Sequence, residues 1–134
     1  LGLMTEATLS NTILATATSL YYPLVFIESL NGIKTKNYAM INRMVKGTAD
    51  ILVLIPNGGS LHIELKVEGN KQQPNQVEYQ KRIEAMGHKY YVCYSYDRFY
   101  EIVNSHLSDK FRQGLKEINK GKYGTNMLDK QYNL

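Results

Sequence analysis

The sequence predicts one α/β domain, a small mixed sheet flanked by helices. Helical and strand periodicities alternate along it in the order helix, strand, loop, hairpin, helix, strand, helix, and no repeat or linker interrupts that order. Its 134 residues suffice for one compact core, and a composition 43% hydrophobic and 21% charged is that of an ordinary globular chain, so disorder is not expected.

Glu6 to Leu20 places Leu9, Ile13, Leu14, Ala17 and Leu20 at helical spacing, and Tyr21-Tyr22-Pro23 ends the pattern. Leu24 to Glu28 is a strand that runs toward the turn pair Asn31-Gly32. Ile51 to Ile55 is continuously apolar, and Pro56-Asn57-Gly58-Gly59 is short enough to fold Leu61 to Val67 back beside it as a hairpin. A polar loop, Gly69 to Asn75, leads into a helix from about Pro74 with apolar positions at Val77, Ile83 and Met86, ended by Gly87. Lys89 to Tyr94, aromatic and β-branched, is a further strand. Asp97 is expected to cap a short helix holding Phe99, Ile102 and Val103. A last helix from about Ser108 carries Phe111, Leu115 and Ile118 on one face, and a polar, loosely held tail follows from Gly121.

The hairpin carries the chemistry. Side chains alternate along a strand, so Ile63, Leu65 and Val67 share one face while His62, Glu64 and Lys66 share the other. Pairing that sets Asp50 near Glu64 puts two carboxylates within reach of one hard cation such as Mg²⁺, with Lys66 beside them and His62 bordering the site. Taken alone, such a strand has a second explanation: alternating Glu and Lys also mark the solvent face of an antiparallel sheet.

Sixteen Lys and Arg against twelve Asp and Glu give a net charge of +4, a basic excess compatible with a polyanionic partner. Lys34, Lys36, Arg43 and Lys46 cluster just ahead of Asp50, where they form either a phosphate-contacting segment or a solvated basic loop; Lys71 adds a cation beyond the hairpin. The single cysteine, Cys93, excludes an internal disulfide and a cysteine-rich zinc site, and its neighbours make it a buried strand thiol, so a cytoplasmic life is expected. His62, His88 and His106 show no zinc-ligand spacing. No apolar run is long enough to cross a bilayer, and no membrane partner is expected. Eleven tyrosines without tryptophan raise base stacking as a possibility, against the commoner role of packing with a bonded hydroxyl, which the crowding of Tyr90, Tyr91, Tyr94, Tyr96 and Tyr100 favours.

Glu6 on the first helix, Gly47-Thr48-Ala49-Asp50 ahead of a strand, Ile63-Glu64-Leu65-Lys66 on the next, Gln76 on the following helix and Gly87-His88-Lys89-Tyr90 entering the last strand stand in order over residues 5–103. Together they resemble the virus-type replication-repair nuclease (VRR-NUC) family of the PD-(D/E)XK superfamily. Ala49 stands where the superfamily's name has proline, a position that supplies no metal ligand. The resemblance implies a restriction-endonuclease-like fold and a metal-dependent DNA endonuclease using Mg²⁺ or Mn²⁺. It implies Asp50, Glu64 and the backbone carbonyl of Leu65 as metal ligands, Glu6 as an outer or second-metal ligand, and Gln76 as a holder of the metal-bound water or a phosphate oxygen. Lys66 is expected to stabilise the charge of the pentavalent phosphorane and position the attacking water rather than act as a general base. Lys71, Lys81 and Arg82 are candidate phosphate contacts, although Lys81 and Arg82 cannot both share the face of Tyr79. By analogy with stand-alone members, the substrate is branched, flapped or four-way junction DNA, the assembly a homodimer, and the setting the bacterial cytoplasm with a phage or prophage origin. Residues 104–134 lie outside the resemblance and form either an extension or a dimer contact. Two rivals differ in kind: a DNA-binding module that does not cut, and a sequence-specific restriction-type nuclease.

Overall fold

A computed structural model describes residues 5–29 and 47–123. The basic segment with Lys34, Lys36, Arg43 and Lys46, the Asn31-Gly32 turn and the tail beyond residue 123 lie outside the described residues. The elements are α1 (Glu6–Leu20), β1 (Val25–Glu28), β2 (Ile51–Leu54), a single 3₁₀ turn (Pro56–Gly58), β3 (Ser60–Leu65), α2 (Pro74–Ala85), β4 (Lys89–Cys93), α3 (Tyr96–Ser105) and α4 (Asp109–Tyr123).

The four strands form one mixed sheet in the order β1-β2-β3-β4. β1, β2 and β3 are antiparallel neighbours, and β4 returns parallel to β3 after crossing over through α2. Alternation along β2 and β3 divides the sheet into two faces. Ile51, Val53, Leu61, Ile63 and Leu65 point into the main core, where Leu9, Ile13, Ala17 and Leu20 of α1 and Phe99, Ile102 and Val103 of α3 meet them. On the opposite face α2 covers the sheet, and Ile83 packs against Ala49 and Tyr90, with Tyr79 and Val92 alongside. Helices therefore lie on both sides of a small mixed sheet, as expected. The covering by α2 also removes the solvent-face explanation for Glu64 and Lys66.

Three local expectations need correction. The α3 cap is Ser95, whose Oγ accepts from the Arg98 N–H at 3.2 Å, while Asp97 lies in the first turn, where an acid still favours the helix dipole. Met86 is not a core residue: it follows the end of α2 as its C-cap and is 68% exposed. On α4 the inward positions are Leu115 and Asn119, which leaves Ile118 exposed. Asn119 is tolerated inside because its amide donates to the carbonyls of Leu20 (3.0 Å) and Leu115 (2.9 Å).

Candidate active site

The hairpin register sets the geometry. β2 and β3 pair Ile51 with Ile63, so the next position outward puts Asp50 opposite Glu64 on the α2 side of the sheet. One Asp50 carboxylate oxygen accepts from the Leu65 backbone N–H at 2.7 Å, which pins the side chain across the strand pair. The Asp50 backbone carbonyl accepts from the Ser29 N–H at 2.8 Å, tying the same residue to the end of β1. The carboxyls of Asp50 and Glu64 lie within hydrogen-bonding reach of each other.

Glu64 is 2% exposed and Lys66 5% exposed, so both charged groups are interior. Buried charges are costly unless compensated, and several partners surround Glu64. Gln76 Nε2 donates to Glu64 Oε2 at 2.9 Å, the Tyr90 hydroxyl donates to Oε1 at 3.3 Å, and Lys66 Nζ stands 3.8 Å from Oε2. Lys66 lies one residue beyond β3, where its N–H still donates to the Cys93 carbonyl at 2.9 Å, so the end of β4 fixes its backbone. On its other side is Glu6, in the first turn of α1, 4.0 Å from Nζ and held by Asn70 Nδ2 at 3.2 Å. Glu6, Lys66, Asn70, Lys71 and Gln73 border an open, polar cleft of about 610 Å³.

Gln76 owes its orientation to the start of its helix. At the N-terminus of α2 a reciprocal capping box joins Gln73 and Gln76, in which Gln76 Oε1 accepts from the Gln73 N–H at 2.7 Å. With the oxygen engaged by a backbone donor, the NH₂ end must face Glu64. Gly47 brings the Asp50 loop against the same helix end. Its φ is +81°, and a Cβ there would lie 2.3 Å from the Asn75 carbonyl oxygen and 2.8 Å from the Gln76 nitrogen, so only glycine fits this approach.

Burial and repulsion act on the acidic pair together. The Glu64 carboxyl is pushed up to about 8, first by desolvation and then by the Asp50 charge beside it. Asp50 is also raised, chiefly by desolvation, with the Leu65 N–H opposing the shift. The Tyr90 hydroxyl is driven up by burial and by the Glu64 charge, so it stays protonated as a donor. Two neighbouring carboxyls that resist joint ionisation are a donor set that a hard divalent cation would relieve, with the Leu65 carbonyl as a further oxygen. Among the described residues no group of three or more His, Cys, Asp or Glu gathers at metal-binding spacing, so any metal here would rest on this pair and on backbone or solvent oxygens.

The structure thus brings together Asp50, Glu64, Lys66 and Gln76, with Glu6 on the Lys66 side. His62 shares the face but turns to Tyr79, whose hydroxyl is 3.3 Å from Nδ1, and does not join the cluster. Lys71 borders the cleft, whereas Lys81 and Arg82 are exposed on α2. Tyr90, Gln73 and Asn70 take part without having been singled out for the site. Tyr90 stood in the sequence only as part of the Gly87-His88-Lys89-Tyr90 turn; its place beside Glu64 comes from the β3–β4 register, which sets it opposite His62 on the face of Glu64. The capping pair was visible as Gln73-x-x-Gln76, although Gln is an unusual N-cap.

No family model matches the chain. A curated protein described as "Putative nuclease p44", from Acyrthosiphon pisum secondary endosymbiont phage 1, is 35% identical over 60 residues, 45% of this chain. The matched stretch spans 64% of that protein's length. A solved structure described as a VRR_NUC domain superimposes with a TM-score of 0.55 over 76% of this chain and 97% of its own length, at 17% identity. Among the described residues no helix is long and apolar enough to cross a membrane. The mixed sheet, its flanking helices and this superposition together give the chain the fold of a VRR-NUC domain.

Proposed function

We propose that the chain is a nuclease, a Mg²⁺- or Mn²⁺-dependent endonuclease that hydrolyses phosphodiester bonds in DNA, with a preference for branched, flapped or four-way junction substrates. The observation that carries it is the half-buried Asp50 and the buried Glu64 beside the buried Lys66, a costly arrangement for a surface that only had to be soluble. The nuclease-named phage relative and the VRR-NUC fold support the same activity.

Asp50, Glu64 and the Leu65 carbonyl would hold the cation, which when bound supplies Lewis-acid polarisation of the phosphate and a more acidic water. Gln76 and Tyr90 hold the Glu64 carboxylate in position, and their hydrogen bonds favour its charged form. As the water oxygen bonds to phosphorus and the bond to the leaving oxygen breaks, negative charge grows on the non-bridging oxygens. Lys66, fixed at its backbone by Cys93, is placed to meet that charge. Glu6 limits how far the lysine can swing, because the ammonium stands between two carboxylates. The basic segment from Lys34 to Lys46 and Lys71 supply phosphate contacts outside the reacting centre. Preference for branched DNA and a two-fold dimer follow from the family resemblance, since a symmetric junction offers two equivalent strands. A bacterial host cytoplasm and a phage origin belong to the same proposal.

The test is cleavage of an end-labelled four-way junction and a matched linear duplex, with Mg²⁺, Mn²⁺ or EDTA, by wild type and Asp50→Asn. Metal-dependent junction products from wild type alone are expected. Equal binding by both proteins with no products under any metal would favour a binding module, and cutting of linear duplex at one fixed sequence would favour a restriction-type enzyme.

A further inference from the structure

We propose, resting on the nuclease function above, that Tyr94 is a stacking platform for an unpaired nucleobase next to the scissile phosphate. The tyrosines of the last strand region differ in burial: Tyr91 packs partly against the main core, and Tyr96, in the first turn of α3, is 40% exposed. Tyr90 and Tyr100 are buried, and Tyr90 spends its hydroxyl on Glu64, whereas Tyr94 is 48% exposed and joins neither apolar cluster. A tyrosine kept only for packing would bury its ring, because the ring supplies most of the gain.

Position gives the exposed ring its use. β3 and β4 pair Leu65 with Cys93, and the Lys66 N–H continues the ladder to the Cys93 carbonyl. One residue further, the parallel register sets Tyr94 beside Lys66, at the roughly 4.8 Å separation of neighbouring strands. The Tyr94 hydroxyl also donates to the Asn70 carbonyl at 3.2 Å, and Asn70 holds Glu6 through its side chain. The loop from Glu68 to Gln73 borders two openings that share Gly69, Asn70 and Lys71. One is the polar cleft at Lys66, and the other, mostly apolar and of about 560 Å³, is also bordered by Tyr94 and Ser95. A phosphate suits the first opening and a base the second, with Lys71, common to both, on the backbone between them. Because a base must leave its pair to stack on a side chain, the preferred substrate has an unpaired nucleotide at the cut, as in a flap or an open junction.

The test uses duplex DNA with a single-stranded flap and 2-aminopurine in the first unpaired position, beside a fully paired duplex, titrated with wild type, Tyr94→Phe and Tyr94→Ala in EDTA. Wild type and Tyr94→Phe should quench the 2-aminopurine and bind the flap within about twofold of each other. Tyr94→Ala should lose the quench and bind the flap about 5- to 100-fold more weakly, with paired duplex unaffected. Unchanged flap binding by Tyr94→Ala would overturn the proposal, as would an equal loss in Tyr94→Phe, which would reduce the residue to its bond with Asn70. Since no cleavage is measured, a protein that quenches through Tyr94 but never cuts would refute the nuclease function and leave the platform standing. A protein that cuts but ignores Tyr94 would do the reverse.

Discussion

Glu64→Gln offers a direct test of the strained carboxyl pair, because it should make the metal-free protein more stable while destroying its site. The wild-type Glu64 carboxyl has an ordinary value of 4.5 and is pushed up to about 8 in the fold. A raised folded value means that the native state binds the proton more tightly than the unfolded chain. That contribution is complete below 4.5 and is lost as pH rises through about 8. At about 1.4 kcal/mol per pH unit, the interval of roughly 3.5 units sets a ceiling near 5 kcal/mol. Only about 4 kcal/mol of it falls between pH 5 and pH 8.5, and entry of water and movement of Lys66 reduce that, so a loss of about 2–4 kcal/mol is expected over this range, or roughly 6–12 °C in Tm. Gln cannot ionise and is nearly isosteric; its carbonyl can accept from Gln76 where Oε2 did, and its NH₂, standing where Oε1 was, can donate to the Tyr90 hydroxyl. Thermal unfolding in EDTA should therefore show a falling wild-type Tm across that range and a much flatter one for Glu64→Gln. Added Mg²⁺ or Mn²⁺ should raise the wild-type Tm most at pH 8.5 and leave the variant almost unmoved. Parallel Tm-versus-pH curves for the two proteins in EDTA would refute the reasoning, since the acidic pair would then carry no conflict for a cation to relieve.

Lys66→Ala should lower the cleavage rate about 10²–10³-fold with less than tenfold change in flap affinity, and single-turnover kinetics against equilibrium binding will separate the two. Gln76→Leu should weaken divalent-metal affinity about 10–100-fold by removing the donor that orients Glu64, read as a shift of the Mn²⁺ activation midpoint. Gly47→Ala should cost about 2–4 kcal/mol, because its methyl group would meet the Asn75 carbonyl at 2.3 Å and its φ is +81°, and denaturant melts will show it as a lower midpoint.

Much of the fold was legible because its elements repeat a simple period. The α1 stripe of Leu9, Ile13, Ala17 and Leu20 is fully buried as spaced, and the turn at Pro56–Gly58 returns β3 on β2 in the register that the alternating residues require. The neighbourhood of Asp50 and Glu64 was legible for the same reason, since a hairpin fixes its own pairing. What stayed hidden depends on contacts between elements distant in sequence. Tyr90 reaches Glu64 only after the α2 crossover sets the parallel register, and Asn119 is interior only because the Leu20 carbonyl at the end of α1 meets its amide. Asp97 drew the cap because both it and Ser95 suit a helix start, and local sequence does not choose between them.

The amide at position 76 serves two masters. One end completes the first turn of α2 and the other steadies the acid on β3. Helix initiation and assembly of the reactive centre are thereby one event, and a chain whose second helix frays from its beginning forfeits the orientation of Glu64 at the same moment. Partially folded forms therefore lack the ordered acid, and the site exists only in the chain whose second helix is complete from its first turn.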